Sequence, residues 1–259
     1  MTDRILTERN GAVATITLNW PERLNAFSVA SWGALADTMN ALSADRTLSC
    51  VVVRGAGEKA FAAGADIGEF ETHRANSTQG RVYGSLVERA IAAVRGVSHP
   101  TVAAIQGACI GGGLEIAVAC DIRIAAEGSR FGAPVTNLGL TMSHAELRGI
   151  VGLIGPARTM ELLFEARLID SAQAAAWGLV NRVVPGADFD QELAAMVARI
   201  TAGAPLVARW HKRFVQRVLD TSPLDPTETD EAFACFNTAD FAEGRRAFSE
   251  KRKPVFEGN

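Results

Sequence analysis

The chain is short of the residues that bind metals or make covalent cross-links. Its four cysteines, Cys50, Cys109, Cys120 and Cys235, form no C-x-x-C pair, and only four histidines occur in 259 residues. That pattern excludes the spacing of a zinc site or a thioredoxin-type redox motif. The cysteines read as small buried hydrophobes of a reducing compartment. No apolar run approaches the roughly 20 residues that span a bilayer, so no membrane association is expected. The opening MTDRILTERNG lacks the basic, apolar and small-residue succession of a secretory leader, and a cytoplasmic protein is expected. Basic charge is not in excess either: 26 Lys and Arg face 29 Asp and Glu, for a net −3. Bulk attraction to nucleic acid is thereby excluded, whereas a small anionic ligand needs only a local basic patch.

What is present is a large core, with 48% hydrophobic and 21% charged residues. Its centre of interest is Ile105–Asp121, IQGACIGGGLEIAVACD. Gly111, Gly112 and Gly113 permit a sharp turn lying close against a ligand. Leu114–Ala119 then supplies an apolar helix, whose N-terminus presents unpaired N–H groups and a partial positive charge. This suits an oxygen that becomes negative during a reaction. Glu115 puts a carboxylate into the first turn among apolar residues. The alternative is a plain strand–turn–helix junction with Glu115 as a dipole-favoured acid. The run is not a phosphate loop, since no Gly-Lys-Ser/Thr ending follows it.

Along the chain, Ile5–Arg9 and Ala12–Leu18 read as strands joined by an Asn10-Gly11 hairpin turn. Ser28 reads as the N-cap of a helix to about Leu42, with Val29, Trp32, Leu35, Ala36 and Met39 on one face. Ser49–Gly55 is a buried strand, and Ala56–Asp66 a glycine- and alanine-rich loop. Glu69–Gly80 is polar and weakly patterned and reads as a mobile cover. Arg81–Val97 is a helix with Val82, Leu86, Ala90, Ile91 and Val94 in a stripe. Thr101–Ile105 is a buried strand leading to the glycine turn, and Asp121–Ala126 another. This rhythm implies parallel α/β pairing. From His144 the chain becomes helical, and β-prone runs cease near Gly186, which suggests a core over 1–185 and a helical region over 186–259.

KAFAAGADIGEF (59–70), taken with GACIGGGLEIAVACDIRIA, LNWPERLNAF (18–27), FGAPVTNLGL (131–140), ARLIDSAQAAAWGLVNRVV (166–184) and EKRKPVF (250–256), resembles the crotonase superfamily. Enoyl-CoA hydratase is its best-known member. The resemblance implies an α/β, crotonase-like spiral of ββα units with a C-terminal helical trimerisation region. It implies a homotrimer or a dimer of trimers. The substrate would be an acyl-CoA thioester, coenzyme A being part of the substrate rather than a separate cofactor. The oxyanion donors by motif are the N–H groups of Ala63 and Gly112. The CoA contacts by motif are Arg23, Leu24, Ala26, Ala65, Asp66 and Ile67. Lys253 and Phe256 match residues that reach a neighbouring subunit's CoA, although Lys253 also reads as a solvated charge of the EKRK run.

Hydratases of this type use two glutamates. Glu115 matches the first; the second, which follows a proline in an FGxPE pattern, is Val135 here. Valine transfers no proton. Glu115 alone serves as acid or base if its apolar helix raises its pKa. A substitute from TMSHAEL is the other route: His144 is a residue type suited to proton transfer, with Glu146 nearby, although both also read as helix-start capping or surface residues. His73 and Asp66 are further candidates. The leading expectation is reversible hydration of a 2-enoyl-CoA. Isomerisation, decarboxylation or thioester hydrolysis on the same oxyanion hole are alternatives, as is a non-catalytic acyl-CoA binder.

Overall fold

The computed structural model describes residues 3–259. An antiparallel hairpin opens the chain, β1 (Ile5–Asn10) and β2 (Val13–Leu18). Its turn is Gly11-Ala12, one residue later than the Asn10-Gly11 expected, because Asn10 pairs with Val13 and extends the ladder. Helix α1 (Val29–Ala44) starts where expected, with the Ser28 hydroxyl accepting from the Ser31 N–H and Trp32, Leu35, Ala36 and Met39 buried.

Three repeats follow, each giving one strand to each of two sheets and then a helix. The first contains β3 (Cys50–Gly55), β4 (Ala60–Ala62), the short α2 (Phe70–His73) and α3 (Ser77–Gly96). The second contains β5 (Thr101–Ile105), β6 (Ala108–Ile110) and α4 (Gly112–Ala119). The third contains β7 (Ile122–Ala126), β8 (Arg130–Gly132) and α5 (His144–Glu165), the last kinked at Gly155-Pro156. One sheet is ordered β1-β2-β3-β5-β7-β10 and the other β4-β6-β8-β9. The closing strands are β9 (Ile169–Asp170) and β10 (Arg182–Val184), separated by α6 (Ser171–Trp177). All pairings from β2 through β10 and from β4 through β8 are parallel. This is a spiral of ββα units, as the resemblance implied.

Four expectations change. The 56–66 loop contains β4, and the glycine turn follows β6 rather than β5. These strands are three residues long, too short to show a hydrophobic period. The segment expected as a polar cover is largely helical: Asn76 caps α3 from Ser77, its side chain accepting from the Thr78 and Gln79 N–H groups. In α3, Ala90, Ile91 and Val94 are buried as expected, but the N-terminal part of the stripe differs. Tyr83 and Val87 are buried in place of Val82, which is 64% exposed.

After β10 the chain is helical: α7 (Phe189–Thr201), α8 (Pro205–Val218), α9 (Pro226–Glu231) and α10 (Ala239–Ser249). Helix α7 is no separate body, for Phe189, Leu193 and Met196 close a second core against β3, β5 and β7. Helix α8 is tied down by Arg209, which donates to the carbonyls of Arg46 and Leu48, and by a Lys212–Asp121 ion pair of 2.8 Å. No described helix is long and apolar enough to cross a membrane.

Candidate active site

Two backbone segments meet where the sheets diverge. Residues 23–27 form a turn in which Leu24 and Asn25 both take left-handed conformations (φ +52° and +57°). Asn25 tolerates this conformation better than most residues. Its buried side chain donates to the carbonyls of Ala56 and Ala60 and accepts from the Trp20 N–H, which fixes the turn. The turn is then stitched to FAAGAD. The Ala63 N–H donates to the Leu24 carbonyl at 2.9 Å, the Phe27 N–H to Gly64 at 2.7 Å and the Asp66 N–H to Phe27 at 2.8 Å.

The second segment is the glycine turn. Gly111 sits at φ +51°, ψ −120°, a conformation closed to side-chain-bearing residues, and α4 starts at once after it. Close approach explains the two glycines that follow. A Cβ on Gly112 would lie 2.8 Å from the Trp32 ring, and one on Gly113 would lie 2.2 Å from the Ala62 carbonyl oxygen. A Cβ on Gly64 would lie 3.5 Å from the Gly112 nitrogen, so FAAGAD and the glycine turn are in backbone contact.

This contact decides the candidate donors. The Ala63 N–H is spent on Leu24, so it is not the free donor that its motif position suggested. The next outward-facing amide, that of Ala65, has no partner among the described residues. Gly112, the first residue of α4, has no intrahelical acceptor. Ala65 and Gly112 both line the adjoining cavity of about 160 Å³.

Glu115, one turn into α4, reaches the same cavity and is only 5% exposed. Its carboxyl makes no hydrogen bond or ion pair among the described residues. Burial pushes its pKa up to about 8; the Glu146 carboxylate pushes the same way, and the Arg74 charge opposes them. Val135 lines the cavity too, so an apolar side chain faces the space where the second glutamate was expected. His144 is exposed and does not line the cavity; it sits at the first position of α5, and Glu146, two residues on, turns inward instead. The catalytic expectation for His144 is corrected on that geometry. Ile67 lies at the cavity mouth, 60% exposed. Arg23, Leu24, Ala26 and Asp66 lie outside the lining on the adjoining turn, and the Asp66 carboxylate accepts from the Gly68 N–H. His73, at the end of α2, lies outside this cavity. Lys253 and Phe256 are at the C-terminus, with Phe256 against Gly244, and neither touches the cavity of its own chain.

A model of the enoyl-CoA hydratase/isomerase family matches residues 8–259. The chain belongs to the enoyl-CoA hydratase/isomerase family. It is 32% identical to a short-chain-enoyl-CoA hydratase of Clostridium acetobutylicum, over 97% of this chain and 96% of that one. It is likewise 32% identical to a crotonyl-CoA hydratase of Syntrophomonas wolfei, over 98% of both. A crystal structure of an enoyl-CoA hydratase/carnithine racemase from Magnetospirillum magneticum superimposes with a TM-score of 0.98 at 47% identity, covering 100% of this chain and 97% of that one. The protein is therefore an enzyme of hydratase/isomerase type with the crotonase fold.

The site of this hydratase/isomerase-family enzyme holds more than its motifs disclose. Tyr83, the sole tyrosine, accepts a hydrogen bond from Trp32 Nε1 at 2.8 Å and is buried at the cavity wall. Burial pushes its phenol up to about 12. Trp32 in turn stacks on Phe27, with centroids 4.0 Å apart and planes at 15°, and so backs the glycine turn from below. Arg74 lies over both the Phe70 and Tyr83 rings, 4.7 Å from each centroid. Trp32 carried a signal as a core position of α1, but nothing in spacing marked Tyr83 or Arg74, because their roles arise from elements packed across the cavity.

Proposed function

We propose that the enzyme catalyses reversible hydration of a 2-enoyl-CoA thioester, with the thioester oxygen held by the Ala65 and Gly112 N–H groups. The observation that carries this reading is a buried, unpartnered Glu115 carboxyl in the same cavity as two unpaired backbone donors. Preorganised donors of this kind stabilise an enolate oxygen far better than water does. With its pKa raised to about 8, Glu115 is mostly protonated at neutral pH and starts as the acid. It delivers a proton to Cα while water attacks Cβ. The Glu146 carboxylate faces the same cavity and takes the water's proton, in the role that Val135 cannot perform. Atoms balance as H to Cα and OH to Cβ, and the proton returns from Glu146 to Glu115 between turnovers. Isomerisation begins instead with proton abstraction by a base, and a protonated Glu115 is poorly placed for that step.

The turn 23–27 and Ala65–Ile67 form the rim along which the CoA moiety is proposed to lie. A homotrimer or dimer of trimers is proposed as well, supported by large apolar side chains left open on the C-terminal helices: Phe248 at 88%, Leu219 at 77%, Val218 at 68% and Phe233 at 60% exposure. Lys253 and Phe256 would then reach the partner's CoA. Coenzyme A is proposed as part of the substrate, with no separate cofactor.

The test follows loss of enoyl-thioester absorbance with crotonyl-CoA for wild type, Glu115→Gln and Glu146→Gln. The reading expects rapid loss for wild type and a drop of about 10²–10⁴-fold in each variant. A wild type that binds acyl-CoA tightly but turns over no enoyl thioester would establish a binder. An unaffected Glu146→Gln would remove Glu146 from the mechanism.

A further inference from the structure

Arg74 is a cation in the cavity wall that no described carboxylate pairs with directly. Its guanidinium lies over the faces of Phe70 and Tyr83 and makes no hydrogen bond or ion pair among the described residues. None of the nearby acidic side chains reaches ion-pair distance of the guanidinium, and two of them also close helix starts. Glu69 accepts from the Val29 N–H at 2.7 Å, closing the start of α1. Glu146 accepts from the Ser143 N–H, closing the start of α5. Glu115 is buried and holds its own proton near neutrality. Half-burying a charged side chain without a partner is unfavourable, and such a group draws an anion from outside. A guanidinium also offers paired donors that match a carboxylate.

The position of the charge says which end of a ligand it meets. Arg74 lies over the Tyr83 ring and lines the same cavity as Glu115, whereas the CoA rim is proposed along 23–27 and 65–67. Phe70, Val87, Leu138, Leu140 and Met142 supply an otherwise apolar wall. We propose that Arg74 receives a carboxylate at the far end of the acyl chain, so that the substrate class is a 2-enoyl-CoA derived from a dicarboxylic acid. This inference rests on the reading of the cavity as the acyl site.

The test is isothermal titration of the full-length enzyme with two saturated, unreactive thioesters of equal chain length, glutaryl-CoA and pentanoyl-CoA. Wild type is expected to bind glutaryl-CoA at least tenfold more tightly. Arg74→Met is expected to bring the ratio of the two affinities close to one, and Arg74→Lys to restore part of it. A wild-type ratio near one overturns the proposal. So does an Arg74→Met variant that weakens both thioesters by the same factor, which would assign Arg74 to the CoA phosphates. Far-ultraviolet circular dichroism of each variant checks that it is folded. Because neither ligand reacts, the ratio is read even if wild type fails to hydrate crotonyl-CoA, so failure of the hydration reading and failure of this one are separate results.

Discussion

Glu115→Gln should make the protein inactive and, above neutral pH, more stable. The carboxyl titrates at 4.5 when free and at about 8 in the fold. Below pH 4.5 both folded and unfolded chains hold the proton, and the group has no effect on stability. Between these values the unfolded chain has released its proton and the folded chain has not. The native state then binds more protons, and stability falls by ~1.4 kcal/mol per pH unit as pH rises. The loss is complete once pH passes the folded value of about 8, with a sum on the order of 5 kcal/mol. Glutamine has nearly the same shape and no ionisation, so it escapes the loss.

Thermal melts of wild type and Glu115→Gln at pH 5, 7 and 9 read this directly. The two proteins should melt within about 2 °C of each other at pH 5, and the variant should melt at least ~5 °C higher at pH 9. Melting points that stay parallel across the range, or a variant less stable at pH 9, would refute the claim that an unpartnered buried carboxyl sits at the start of α4. The same variant assayed with crotonyl-CoA should lose at least about a hundredfold in kcat. Stability gained with activity lost is what a site strained for function predicts.

Gly112→Ala brings a methyl to 2.8 Å from the Trp32 ring and tilts the N–H proposed to hold the thioester oxygen. Steady-state kinetics should show kcat reduced by ~10²–10³ while acyl-CoA affinity changes far less. Tyr83→Phe leaves the Trp32 indole N–H without its acceptor at 2.8 Å. Denaturant unfolding should show a loss of about 1–3 kcal/mol, and adding Trp32→Phe should cost less than the two single changes added together. Asp121 accepts from the Thr101 N–H and hydroxyl and pairs with Lys212, whose side chain is 7% exposed. Asp121→Asn strands that ammonium and should destabilise by about 3 kcal/mol; adding Lys212→Met should recover much of it.

The sequence by itself determined the local pieces whose causes are local. Ser28 caps α1 because its hydroxyl satisfies an amide three residues on, and the buried face of α1 follows from apolar spacing. Gly111 to Glu115 was legible as a ligand-facing turn, since only glycine takes the backbone angles and approaches found there. Val135 was expected, from the proline before it, to stand where a second glutamate would be, and it lines the cavity. Tertiary structure decided everything that depends on contacts across the chain. The second sheet is built from strands of two or three residues, whose pairing partners, not their composition, make them strands. The free donor is Ala65 rather than Ala63 because the Leu24 carbonyl, 39 positions earlier, claims the Ala63 N–H. Glu146 rather than His144 enters the cavity because of where α5 starts and which way it turns. Ala90, Ile91 and Val94 of α3 are buried as their spacing predicts, whereas Tyr83 and Val87 face inward toward the cavity, Tyr83 held by Trp32. Hydrogen-bond competition and helix rotation are set by neighbours distant in sequence, so no local pattern encodes them.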